Sequence, residues 1–147
     1  MSVHVKVDLT SLALSSKGTL GGIIYLELQD ESGVAYYPDN SWSDIPVALL
    51  SSWLPALHEL KSGRGESVNC RFMDGPFGFI VIRQPGQVWR VDFKGRLGSW
   101  RINSSDFLDS LTQTSRELVA ECDQRDLRGA DLEVLRLALE GIHPPAI

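Results

Sequence analysis

Between residues 66 and 103 the apolar side chains fall at every second position in one short run after another, and this constrains the chain more than any other feature. Val68, Cys70 and Phe72 share one parity, with Asn69 and Arg71 on the other. Trp89, Val91 and Phe93 alternate with Arg90, Asp92 and Lys94, and Trp100 and Ile102 alternate with Ser99, Arg101 and Asn103. A period of two places apolar groups on one face of a strand and polar groups on the other. Phe79, Ile80, Val81 and Ile82 are apolar at both parities, which predicts the most buried strand, covered on both faces. Asp74-Gly75, Pro85-Gly86 and the pair Gly95 and Gly98 separate the runs where hairpin turns belong. The pattern predicts an antiparallel meander of four strands.

Three strands are expected before it. Val3, Val5, Val7 and Leu9 alternate with His4, Lys6 and Asp8; 11–19 is small and polar and reads as a loop; 22–29 and 34–37 are strands around the turn Asp30-Glu31-Ser32-Gly33. Ser43 or Asp44 then caps a helix, with Pro46 in its first turn. Ile45, Leu49, Leu50, Trp53, Leu54, Leu57 and Leu60 make a wide apolar stripe at helical spacing, and Pro55 should kink or divide it. After the meander, Ser104-Ser105-Asp106 opens a second helix carrying Phe107, Leu108, Leu111, Leu118, Val119 and Cys122. A polar break at 123–129 precedes a third helix, capped by Asp131 and ended by Gly141 and Pro144-Pro145. The order βββ-α-ββββ-αα predicts an α+β fold: an antiparallel sheet of two to three N-terminal strands plus the meander, packed with about three helices. A chain of 147 residues suits one globular domain, 1–147.

Charge is distributed unevenly. Residues 1–60 and 104–147 each carry a net charge of −5, whereas 61–103 carries +5, giving −5 in all. Bulk attraction to nucleic acid or an anionic membrane is therefore not expected. No apolar run approaches the roughly 20 residues that cross a bilayer, and the N-terminus lacks the apolar block of a signal peptide. Cys70 and Cys122 are expected to be buried free thiols of a reducing, cytoplasmic setting rather than a disulfide.

Candidate chemistry is sparse. His4, His58 and His143 have no metal-ligand spacing and neither cysteine has a CxxC partner, so no metal or other cofactor is expected. No GxSxG turn is present. Gly18-Thr19-Leu20-Gly21-Gly22 precedes a strand, whereas a phosphate-cradling loop opens a helix. The string 126–132 resembles two steps of a pentapeptide repeat, but it dissolves into helix by Leu135. Asp39, Asp44 and Asp74 would form an acid/base group only if folding gathered them; the alternative is capping and turn duty. The sharpest feature is the basic face. Arg71, Arg90, Lys94 and Arg101 lie at the parity opposite the buried residues, with Arg83 and Arg96 near. No aromatic shares that parity beside Asp92, which argues against base stacking of the RNA-recognition type. The face either meets a partner or is covered by the acidic helix that holds Glu117 and Glu121.

Two strings carry a family resemblance: Trp42-Ser43-Asp44-Ile45-Pro46-Val47 with Trp53-Leu54 downstream, and Phe72-Met73-Asp74-Gly75-Pro76-Phe77. They resemble small bacterial immunity proteins encoded beside polymorphic or contact-dependent toxins, over about half of the chain. The resemblance implies a cytoplasmic, non-enzymatic protein that occludes a cognate toxin domain by direct association. The expected contact residues are Arg71, Arg90 and Arg101, with Tyr37, Asp39 and Trp42 as a second surface. The alternative is a small enzyme or ligand-binding domain with a pocket between the first helix and the sheet.

Overall fold

A computed structural model describes residues 1–96 and 98–142. The elements run β1 (Ser2–Leu14), β2 (Leu20–Asp30), β3 (Gly33–Tyr37), β4 (Ser43–Asp44), α1 (Pro46–Lys61), β5 (Ser67–Arg71), β6 (Gly78–Arg83), β7 (Val88–Phe93), β8 (Ser99–Asn103), α2 (Ser104–Gln124) and α3 (Ala130–Glu140). The architecture is α+β, and its strands divide between two four-stranded antiparallel sheets. In the first, β1-β2-β3 lie in order and the short β4 also pairs with β2. The second is the meander β5-β6-β7-β8.

The alternation of the meander sets its register. Val68 lies opposite Val81, Val81 opposite Val91, and Val91 opposite Trp100, so the inward row is continuous across the sheet. β6 departs from expectation. Phe79 and Val81 are buried, but Ile80 is 41% exposed, because among the described residues no element covers the outward face on which Ile80 and Ile82 stand. Apolarity on both faces of this strand therefore marks an open surface rather than a second buried layer.

The segment 11–19, expected as a loop, is strand as far as Leu14. The hairpin register shifts between Asp8 and Ala13, which is a bulge. The Asp8 carboxylate accepts from the Thr10 amide and hydroxyl, the Ser11 hydroxyl accepts the Ile23 amide, and Leu12 is buried. The free edge of β1 is covered by α2: the Val5 amide donates to Ser110 Oγ at 2.9 Å, and Thr114 Oγ1 donates to the Val5 carbonyl at 2.8 Å.

α1 begins with Pro46 at its first turn and runs unbroken through Pro55, whose ring is exposed. Asp44 does not cap it by the usual contact, since the N-cap residue is Ile45 with no side-chain cap. Asn103 caps α2, its side chain accepting the Asp106 amide at 3.0 Å. α3 is preceded by Gly129, and Asp131 sits inside its first turn rather than at the cap. Gly141 closes α3; His143 and Pro144-Pro145 lie outside the described residues.

A single core cluster draws on both sheets and all three helices, with α1 at its centre against β2, β5, α2 and α3. Trp53 of α1 meets Phe72 and Phe79 edge-on at 5.2 Å each, and Phe107 of α2 meets Trp89 and Phe79. Cys70 and Cys122 are buried and unpaired, and burial pushes both thiols up.

Two polar ties join the sheets at one corner. Tyr37, at the end of β3, buries its ring against Phe72, Phe77 and Phe93. Its hydroxyl lies 2.8 Å from the Gly78 carbonyl and 2.7 Å from the Lys94 carbonyl, and accepts the Gly78 amide at 3.0 Å. Buried Asp44 is the second tie. Its carboxylate accepts the Ile45 amide at 2.8 Å, and the Trp42 indole and the Asp74 amide at 3.0 Å each. Three N–H donors compensate the burial of that charge.

Removing the Tyr37 hydroxyl leaves the buried Gly78 amide without its acceptor. Tyr37→Phe should therefore lower the unfolding free energy by about 1–3 kcal/mol, read as a shift of the urea midpoint at unchanged slope. His58, half-buried where α1 faces α2, has its pKa lowered by burial, opposed by the charge of Asp109. The unfolded chain then binds this proton more tightly. His58's contribution is complete above its unfolded pKa of about 6.5 and is lost as pH falls through the folded value. Unfolding free energy measured from pH 7 to 5 should fall less steeply in His58→Gln than in the wild type.

Candidate functional site

The outward face of the meander is built by strand parity. From β5 to β8 its middle row is Asn69, Ile80, Asp92 and Ser99, and the next row is Ser67, Ile82, Arg90 and Arg101. Arg71, opposite Gly78, begins the row on the other side, which Lys94 completes by donating its amide to the Gly78 carbonyl at 2.9 Å. Arg71, Lys94 and Arg101 are exposed and Arg90 is partly so. The structure thus places Arg71, Arg90 and Arg101 on one sheet face, as the parity of the sequence requires, with Arg90 and Arg101 adjacent and Arg71 at the other end of the face.

The acidic helix does not cover them. α2 packs against β1, α1, α3 and β8, and its Phe107 meets the inward residues Trp89 and Phe79. Glu117 accepts from Gln113 on its own helix. Among the described residues the one ion pair on the face joins Arg90 to Asp92 at 3.4 Å, within the same strand. Asp92 also accepts the Ser99 hydroxyl. Arg90 and Arg101 stand directly opposite each other, and Arg90 Nε is buried with no hydrogen-bond partner. Like charges opposed across a sheet are destabilising, so this row has an unmet demand for negative charge.

A groove of about 410 Å³ opens at the other end of the face, lined by Asn69, Arg71, Phe77, Ile80, Asp92 and Lys94 among others. Its floor is Gly78. A Cβ there would lie 2.9 Å from the Cys70 carbonyl, so the close approach of β5 and β6 at this point requires glycine. From beneath, the Tyr37 hydroxyl holds the same peptide in place.

The other expected positions serve different ends. Tyr37 is 5% exposed and forms the tie between sheets, so its ring is not a contact surface. Asp39 is exposed, and its carboxylate accepts the Ser41 amide and hydroxyl within a turn. Trp42 is half-buried, stacked edge-on against Phe72 and Phe77, with its indole N–H committed to Asp44. Arg83 has inward parity, its guanidinium near Gly63 at the end of α1, and Arg96 lies over the Trp100 ring at 5.8 Å. Of the three acids, Asp44 and Asp74 meet, the Asp74 amide donating to the Asp44 carboxylate, while Asp39 stays in its own turn; the recess of about 170 Å³ at the start of α1 is lined by Ile45, Val47 and residues of α3 instead. A cleft of about 510 Å³ between the start of β1 and the start of α2 contains none of the basic residues.

Among the described residues no group of three His, Cys, Asp or Glu side chains could hold a metal ion, and no helix is long and apolar enough to cross a membrane. Gly78, Ile80 and Phe77 are the site residues that sequence reasoning missed. Gly78 and Ile80 share the outward parity of Ile82, and that was the available signal. Comparison with known proteins returns no matching family model, no matching curated protein and no matching solved structure.

The opposed arginines generate a prediction. Arg101→Glu converts a repulsive pair into an attractive one and should raise the unfolding free energy by about 0.2–1 kcal/mol in chemical denaturation at low salt, with the gain shrinking as salt is added.

Proposed function

We propose that this chain is a non-enzymatic binding protein of the immunity type, which in the bacterial cytoplasm neutralises a cognate toxin domain by covering it. The observation that carries the reading is the uncovered outward face of the meander, where Arg71, Lys94, Arg90 and Arg101 surround the exposed Ile80. Specific interfaces commonly place an apolar centre inside a polar rim, with arginine among the residues that contribute most. The arginine fork suits carboxylates, and the basic face of an otherwise acidic chain steers an acidic partner to one orientation. Nucleic acid fits less well. The chain carries −5 overall, Asp92 occupies the middle of the face, and none of the outward positions of β5–β8 holds an aromatic residue.

The experiment is co-expression with the product of the adjacent gene. The two proteins should co-purify, and cells expressing the toxin domain should survive only with this chain present. The variant Arg71→Ala/Arg90→Ala/Arg101→Ala should keep its folding stability to within about 1 kcal/mol, because exposed charges contribute little. It should nonetheless lose affinity by at least tenfold, mainly through a slower association that the wild type shows only at high salt. Full protection by the triple variant would overturn this reading.

A further inference from the structure

The outward column of β6 is Gly78, Ile80 and Ile82, and the charges beside it are grouped at its two ends. Gly78 has Arg71 on one side and Lys94 on the other. Four residues along, Ile82 has Arg90 and then Arg101 on one side and the uncharged Ser67 on the other. Between the ends stands Ile80, with Asn69 and Asp92 as neighbours. Four residues of strand span about 13 Å at roughly 3.3 Å per residue. The face therefore presents positive charge, an apolar step and positive charge again, at the spacing of alternate side chains on an extended chain.

We infer that this column docks an extended acidic segment of a protein partner, with carboxylates at positions i and i+4 and an apolar side chain at i+2. The inference rests on the binding role proposed above and specifies what is bound. The first carboxylate enters the groove over Gly78, between the Arg71 guanidinium and the Lys94 ammonium. The central side chain covers Ile80 and the edge of Phe77. The second carboxylate lies at the exposed ends of the Arg90–Arg101 pair, where it relieves their mutual repulsion. Asp92, beside Ile80, disfavours a third acid at i+2 and so favours the alternation over a run of negative charge. The same feature disfavours a polyphosphate backbone, whose charge recurs without an apolar step.

The test is a titration of the isotope-labelled full chain, followed by amide chemical shifts, with the blocked peptide Glu-Thr-Val-Thr-Glu. Shifts are expected at Asn69, Gly78, Ile80, Arg90 and Lys94, with binding weakened at least fivefold by raising the salt. Three control peptides, Gln-Thr-Val-Thr-Gln, Glu-Thr-Ser-Thr-Glu and the respaced Glu-Glu-Val-Thr-Thr, should each bind at least fivefold more weakly. The exposed substitution Ile80→Glu should abolish the shifts. Should it disturb the fold, Arg71→Glu/Lys94→Glu, which alters only exposed side chains, must abolish them instead. Equal binding of the respaced peptide, or shifts clustered away from β5–β8, overturns the inference. So does tighter binding of a ten-residue oligothymidylate at the same amides, which would assign the face to nucleic acid. If the peptide fails but the triple arginine variant still loses the toxin domain, the extended mode is wrong and the binding face stands. If the triple variant also retains the toxin domain, the binding role itself falls.

Discussion

The hydroxyl of Tyr37 is the contact on which the relation between the two sheets depends. It comes from the last residue of β3 and ends between β6 and β7, accepting the Gly78 amide while lying within hydrogen-bond distance of two carbonyls. A phenol has one proton to give, so it donates to the Gly78 or the Lys94 carbonyl and leaves the other to its remaining partners. The Lys94 amide, in turn, bonds to the Gly78 carbonyl. One side chain from the first sheet thus fixes the corner of the second at which the outward groove begins. Asp44 repeats the arrangement nearby, reaching from β4 to the Asp74 amide. Between these ties the aromatic rings of Tyr37, Trp42, Phe72 and Phe77 meet at steep angles, a geometry that aromatic quadrupoles favour.

This corner also explains how one sheet can be buried on one face and open on the other. α1 packs against strands of both sheets, and α2 and α3 close over it, so every helix is used on the inner side. α2 has a further task, since Ser110 and Thr114 satisfy the Val5 backbone at the free edge of β1. Among the described residues no helix remains to cover the outward face of the meander. An antiparallel sheet tolerates that when its outward residues are mostly polar, as Asn69, Arg71, Arg90, Asp92 and Arg101 are.

Much of this was legible in the sequence because side-chain parity is a local property. The runs Trp89-Val91-Phe93 and Trp100-Ile102 fix both the inward row and the outward arginines with no knowledge of the tertiary fold. The division into two sheets was not legible, because strand periodicity says which face is buried but not which strands share a ladder. Ile80 departs from the pattern for a related reason: apolarity at both parities has the same appearance whether the second face meets a helix or stands open. Tyr37 and Asp44 were read as surface and cap residues because their long-range partners, Gly78 and Asp74, are invisible to local pattern. The bulge that extends β1 through Leu14 is hidden by small polar residues; there the Asp8 carboxylate takes the Thr10 amide and the Ser11 hydroxyl takes the Ile23 amide in place of ladder bonds.

The direct opposition of Arg90 and Arg101 has a place in this picture that stability alone does not supply. Cross-strand pairs are a main unit of sheet stabilisation, and this pair works against it by a few tenths of a kcal/mol or more. Asp92 offsets only part, since it sits on the same strand as Arg90, holds one guanidinium at 3.4 Å and is shared with Ser99. A fold with a core of this extent can carry such a defect. The pair stands on the same face as the exposed Ile80 and the groove lined by Gly78, the arrangement that the proposed acidic, partly apolar partner would use. Under the proposed binding role, repulsion retained in the free protein would be released on binding, so a partner's carboxylate would gain more here than beside an arginine already neutralised. The positions that weaken the free sheet would then be the ones from which a complex draws its specificity.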